Sequence, residues 1–184
     1  MSIIKNLCVY CGSSYDVSDV YKKDATQTGL LCARQGWRVI YGGGRVGLMG
    51  LVADAALQAG GKVIGVIPQY LKDREIAHNN LTELHITQTM HERQHLMAEL
   101  SDAFVVLPGG LGTLAEFFEI VTWRQLGLHK KPIVIVNTNE YWDFLIQTLD
   151  RVVQENFLHS RDSELFTVIA NIEELPKILG GKIN

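Results

Sequence analysis

Hydrophobic residues in this chain gather in short continuous runs, and most runs are followed by a longer stretch with helical spacing. The runs that read as strands are "NLCVYCG", "WRVIYGG", "KVIGVIP", "LTELHIT", "DAFVVLP", "PIVIVN" and "LFTVIAN". Most are unbroken β-branched and aliphatic residues, the pattern of strands covered on both faces. Helices are expected over roughly 18–35, 47–59, 90–100, 113–126 and 141–155, with a short one near 173–180. This alternation predicts an α/β fold, a doubly wound and mostly parallel sheet of about seven strands with helices on both faces. No linker, low-complexity segment or internal repeat interrupts it, so residues 1–184 are expected to form a single domain.

In open parallel sheets, ligands bind beyond the carboxyl ends of the strands, where the strand order reverses. The turns after the predicted strands therefore carry the candidate chemistry, and two of them are glycine-rich. "YGGGRVGLMG" contains Gly42-x-Gly44-x-x-Gly47, a formal match to the dinucleotide fingerprint. The acidic residue that should follow about 20 positions later is missing from "VIGVIP", which disfavours a dinucleotide. Gly43 and Gly44 remain open to two readings: backbone approach to an anionic ligand, or a tight turn packed with small residues.

"VVLPGGLGTLAEFFEIVTW" is the stronger turn. Gly109, Gly110 and Gly112 remove side chains where a phosphate could approach, and Thr113 opens the next helix with a hydroxyl. Free amides and the helix dipole make such a start an anion site. No lysine follows the glycines, so a monophosphate fits better than a triphosphate held with magnesium. Thr113-x-x-Glu116 also spells a capping box. Its location gives Glu116 a second reading, a carboxylate one turn from a phosphate cradle.

The segment "TMHERQHLMAEL" contains H-E-x-x-H, the letters of a zinc-protease helix. Thr89-x-x-Glu92 gives the glutamate a capping role, and Ala98 and Ser101 stand where an extended zinc signature needs Gly and His. No metal ligand set is expected here. Arg93 attracts more interest, because a cation near a helix start opposes the dipole. It reads as a ligand-facing residue or as a surface ion pair with Glu92 or Glu99. If the helices after "LTELHIT" and "DAFVVLP" open onto one crevice, Arg93 and Glu116 face the same ligand.

Composition narrows the classes. The chain has net charge −3 with its basic residues dispersed, so neither nucleic acid nor a charged membrane surface is an expected partner. The N-terminus shows no signal or anchor pattern, and three cysteines suit a reducing cytoplasm. Cys8 and Cys11 sit in a strand-like run and read as buried thiols.

"PGGLGTLAE" (Pro108 to Glu116) and "MHERQ" (Met90 to Gln94), with "VYCGSS", "YGGGRVGLMG" and "TWRQLGLHKKPI", resemble the Lonely Guy (LOG) family. Its members are cytokinin riboside 5'-monophosphate phosphoribohydrolases, long labelled possible lysine decarboxylases. The resemblance covers nearly the whole chain and implies a Rossmann-like domain acting as a homodimer. It implies hydrolysis of the N-glycosidic bond in a nucleoside 5'-monophosphate, with no metal or cofactor. Carried over by position, the catalytic pair falls on Arg93 and Glu116. Substrate contacts fall on Glu75, Arg93, Gln94, Gly110, Leu111, Gly112, Thr113, Leu114, Ala115, Glu116 and Thr122. Ser13, Gly43, Gly44 and Gly109 are further candidates for phosphate contact. Gln94 departs from the family pattern, which has lysine there. Thr122 lies about 120° round an ideal helix from Glu116, a direction compatible with reach across a dimer interface. "FFEIVTWRQLGL" carries enough apolar surface for such a face, though a core helix would carry as much. The decarboxylase label would need pyridoxal phosphate on a lysine by the crevice, and no lysine has a motif-like setting there. A non-catalytic nucleotide carrier or sensor is the alternative to the hydrolase.

Overall fold

Each predicted strand forms, and all join one sheet. In the computed structural model, which describes residues 4–72, 74, 77–158 and 165–181, the strands are β1 (Asn6–Tyr10), β2 (Arg38–Tyr41), β3 (Val63–Pro68), β4 (Glu83–Thr87), β5 (Ala103–Val106), β6 (Ile133–Val136) and β7 (Thr167–Ile169). Their order is β4-β3-β2-β1-β5-β6-β7, and every neighbouring pair is parallel. The chain thus builds outward from β1 to β4 and then returns to lay β5 on the other side of β1. The order reverses between β1 and β5, and that switch point opens a crevice beyond their carboxyl ends.

The helices are α1 (Asp19–Gln35), α2 (Gly47–Gln58), α3 (Gln69–Lys72), α4 (Met90–Leu100), α5 (Leu111–Gln125), α6 (Asp143–Gln154) and α7 (Leu175–Leu179). Strand residues alternate between two core layers, as the period of two requires. Leu7, Val9 and Cys11 of the first strand and its exit face a layer built with α1, α2 and α7. Cys8 and Tyr10 face the layer that α4 and α5 cover. Cys8 and Cys11 therefore sit on opposite sides of the sheet, free and buried. Burial pushes the Cys8 thiol up to about 12 and raises that of Cys11 too, so both are inert thiols rather than a redox pair.

Three elements depart from the sequence expectation. β4 is an edge strand whose residues are only partly covered, with Glu83 and Ile86 exposed on opposite faces and Thr87 alone buried. α3 is a four-residue helix directly after β3 that the hydrophobic spacing did not announce. α5 begins at Leu111 rather than at Thr113, with Gly110 as its N-cap and no side-chain cap. That two-residue difference changes the chemistry of the site.

Candidate active site at the switch point

With the helix starting at Leu111, Thr113 falls in the first turn and Glu116 lies beyond it, so the two do not form a capping box. The first intrahelical bond runs from the Leu114 amide to the Gly110 carbonyl, at 3.0 Å. The amides of Leu111, Gly112 and Thr113 have no acceptor within the helix and point toward its N-terminal end. A Cβ added at Gly110 or Gly112 would meet nothing within 4 Å, so the space above this turn is open. Gly109 is different: a Cβ there would run into Thr113 and lie 2.9 Å from the Gly12 amide nitrogen. The loops after β1 and β5 come together at this contact, where the Gly12 amide donates to the Pro108 carbonyl at 3.1 Å.

α4 enters the same crevice from the β4 side. Thr89 caps it by accepting from the Glu92 amide at 3.1 Å, and the Glu92 carboxylate turns back to accept from the Gln88 amide at 2.8 Å. Glu92 is thus a capping residue. His95 lies on the exposed side against Glu99, at 3.3 Å, and edge-on to Trp123. Among the described residues no three His, Cys, Asp or Glu side chains converge as metal ligands.

Arg93 turns inward and is only 8% exposed. Its Nε donates to the Val66 carbonyl at 3.1 Å and its Nη2 to the Gly42 carbonyl at 3.4 Å, while Nη1 lies 3.8 Å from the Met90 sulfur. A Cβ on Gly42 would overlap the guanidinium, so the first glycine turn makes room for Arg93 rather than for a dinucleotide. Nη2 also stands 3.6 Å from Oε1 of Glu116, which is 7% exposed. Arg93 is therefore no surface partner of Glu92 or Glu99.

The environment of Glu116 is unusual for a carboxylate. Burial pushes its pKa up from 4.5 to about 7, against the Arg93 charge, which lowers it, and with a smaller upward push from Glu119. Burial wins over the ion pair because the 3.6 Å contact is long and Arg93 spends its better-directed donors on backbone carbonyls. A carboxyl poised near neutrality in a cleft is the state expected of an acid–base or charge-stabilising group.

These groups line a cleft of about 300 Å³. Of the residues singled out from sequence, Ser13, Arg93, Gly110, Leu111, Gly112, Thr113 and Glu116 reach it. Gly109 lines an adjoining chamber of about 310 Å³ that shares Gly12, Ser13 and Gly110 with the cleft. Gly43 and Gly44 are buried below the crevice, packed toward Ile67 and Met49 respectively. Gln94 is half-buried on α4, Leu114 packs against the core, Ala115 is exposed, and Thr122 is exposed further along α5. None of these four reaches the cleft within one chain. Glu75 lies outside the described residues. Sequence reasoning missed the apolar wall made by Met49, Leu71 and Met90. The spacing of Met90 three residues before Arg93 was a usable signal, whereas Leu71 on the unannounced α3 had none. Among the described residues no lysine lines the cleft, so its lining does not fit a pyridoxal phosphate held as a Schiff base.

A parallel doubly wound sheet, an open helix N-terminus at its switch point and a buried carboxylate–guanidinium pair define a Rossmann-like α/β protein with a cleft at the carboxyl edge of its sheet. Comparison with known proteins narrows this. A family model described as "Possible lysine decarboxylase" matches residues 49–179. The chain is 46% identical over 170 residues to a cytokinin riboside 5'-monophosphate phosphoribohydrolase of Rhodococcoides fascians, covering 92% of this chain and 86% of that protein. It is 40% identical over 174 residues to the phosphoribohydrolase LOG5 of Arabidopsis thaliana, covering 95% and 76%. The chain belongs to the Lonely Guy family. Among solved structures, the molybdenum cofactor binding protein of Rippkaea orientalis superposes with a TM-score of 0.73 at 22% identity, over 98% of this chain and 97% of that one. That likeness is one of fold.

Proposed function

We propose that this protein is an N-glycosidic hydrolase that splits nucleoside 5'-monophosphates, cytokinin riboside monophosphates and AMP among them, into free base and ribose 5-phosphate. The observation that carries the proposal is the buried Arg93–Glu116 pair, 3.6 Å apart, beside the open amides of α5. The 5'-phosphate is held by the amides of Leu111, Gly112 and Thr113, with Ser13 lining the same cleft. Holding the phosphate places the ribose against Glu116 and the base toward Met49, Leu71 and Met90.

Water adds to the anomeric carbon as the bond to the base nitrogen breaks, and that nitrogen keeps the electron pair. The sugar passes through an oxocarbenium-like state that the Glu116 carboxylate stabilises; Glu116 takes a proton from the attacking water and gives it up to solvent, and the departing base nitrogen takes one from solvent, so the base leaves neutral. Arg93 cannot give up a proton at ordinary pH, so it orients the ribose phosphate and balances charge. No step draws on a cofactor or metal.

The active form is a homodimer of a cytoplasmic protein. Phe118 and Thr122 on α5 and Leu126 just past its end stand one turn apart, all exposed, and Leu128 continues the patch. An apolar hollow lined by His95, Trp123 and Leu128 lies beside it. Thr122 therefore belongs to a surface that a second copy covers, and it contacts substrate from there. Among the described residues no helix is long and apolar enough to cross a membrane.

The test is incubation of the purified protein with AMP and with isopentenyladenosine monophosphate, followed by chromatography of the products. Base and ribose 5-phosphate should appear in equal amounts. Tight binding without base release would replace this reading with that of a nucleotide carrier.

A further inference from the structure

We propose that Tyr141 is a positioning residue for the anion cradle, acting through the Gly109–Gly110 peptide; the inference rests on the cleft's being a phosphate site. The hydroxyl of Tyr141 donates to the Gly109 carbonyl at 2.7 Å, across 32 residues of sequence. In a planar trans peptide the carbonyl and the next amide point in opposite directions. Gly109 and Tyr141 both line the adjoining chamber, whereas Gly110 lines that chamber and the cleft alike. Fixing the Gly109 oxygen toward Tyr141 therefore aims the Gly110 amide toward the cleft, beside the free amides of α5.

The cradle needs such a fixture. Gly109 is packed against Thr113 and Gly12, but Gly110 has no side chain and a Cβ there would meet nothing within 4 Å, so on the Gly110 side no packing helps to fix the peptide plane. A flipped peptide would turn a carbonyl oxygen toward the bound phosphate and repel it. The preceding carbonyl, that of Pro108, is already held by the Gly12 amide at 3.1 Å. Tyr141 supplies the corresponding hold on the next one.

Tyr141 follows a turn with several fixed contacts. Asn139 and Glu140, just before it, both have left-handed backbones, with φ of 52° and 59°. Glutamate rarely adopts that conformation, so the surroundings impose it. Thr138 donates to the buried Asp24 carboxylate of α1. The Asn137 side chain donates to Asp143 and accepts from the Trp142 amide, each at 2.8 Å. The Tyr141 ring stands edge-on to Tyr21, with centroids 5.4 Å apart.

Tyr141→Phe keeps the ring and removes only the hydroxyl. Calorimetric titration with ribose 5-phosphate should show affinity lowered about tenfold, the scale of one lost hydrogen bond serving a charged ligand. KM for AMP should rise by a similar factor with kcat within about twofold, while turnover of adenosine and the melting temperature stay unchanged. Unaltered ribose 5-phosphate affinity would overturn the inference, as would equal losses on AMP and adenosine. A wild type that binds ribose 5-phosphate but releases no base defeats the hydrolase reading alone, and the titration still decides the role of Tyr141. A wild type that binds no ribose 5-phosphate defeats both.

Discussion

Glu116 is held near neutrality by opposed forces, and this makes its ionisation observable. Burial raises its pKa to about 7, Glu119 adds to the rise and Arg93 opposes it. If the ionised carboxylate is the working form, kcat/KM should increase with pH through a midpoint near 7. Glu119→Gln removes a neighbouring negative charge and should move that midpoint down; a midpoint unmoved by the change would contradict the assignment. Stability carries the same signature with the opposite benefit. The unfolded chain releases this proton near 4.5 and the native chain keeps it until about 7, so stability falls as pH rises across that window. Glu116→Gln should flatten the fall, and melting curves of both proteins at pH 5 and pH 8 would show the difference.

At the scale of elements, the site depends on three turns meeting at the switch point. The letters "PGGLGTLAE" directed attention to the second glycine turn, which lines the cleft, and "MHERQ" directed it to Arg93. The start of α5 was not legible, because Thr113-x-x-Glu116 spells a cap that the helix does not use; Gly110 does that work through its backbone. The purpose of Gly42 was equally hidden. Its partner, Arg93, is 51 residues away, and only the packing of β2's exit against α4 shows that a side chain there has no room. Gly42→Ala should therefore displace the guanidinium and lower kcat on the order of 100-fold, the scale of a misplaced catalytic group. Retention of most activity would mean that Arg93 works from another position. Tyr141 escaped notice for the same reason: its partner lies across the fold, and nothing local marks it.

For the molecule as a whole, the strand runs were enough to give the sheet, since buried parallel strands write themselves as continuous apolar stretches. The edge strand β4 was harder to see as an edge, because "LTELHIT" mixes polar and apolar residues without strict alternation. The assembly is where surface rather than core decides. Leu126 and Leu128 are 68% and 70% exposed in the single chain, a costly arrangement unless covered. Sedimentation should give about twice the 20.6 kDa chain mass. If Thr122 acts across the proposed interface, changing both leucines to glutamate should yield a folded monomer with reduced activity. A fully active monomer would contradict this arrangement.

Glu116 is proposed to perform chemistry rather than to hold the fold or the ligand. Its most direct measurement pairs AMP binding with base release in Glu116→Gln. Affinity for AMP within about threefold of the wild type, with base release lowered at least 1000-fold on the scale of a lost charge-stabilising group, is the predicted result. Base release within about tenfold of the wild type would contradict it.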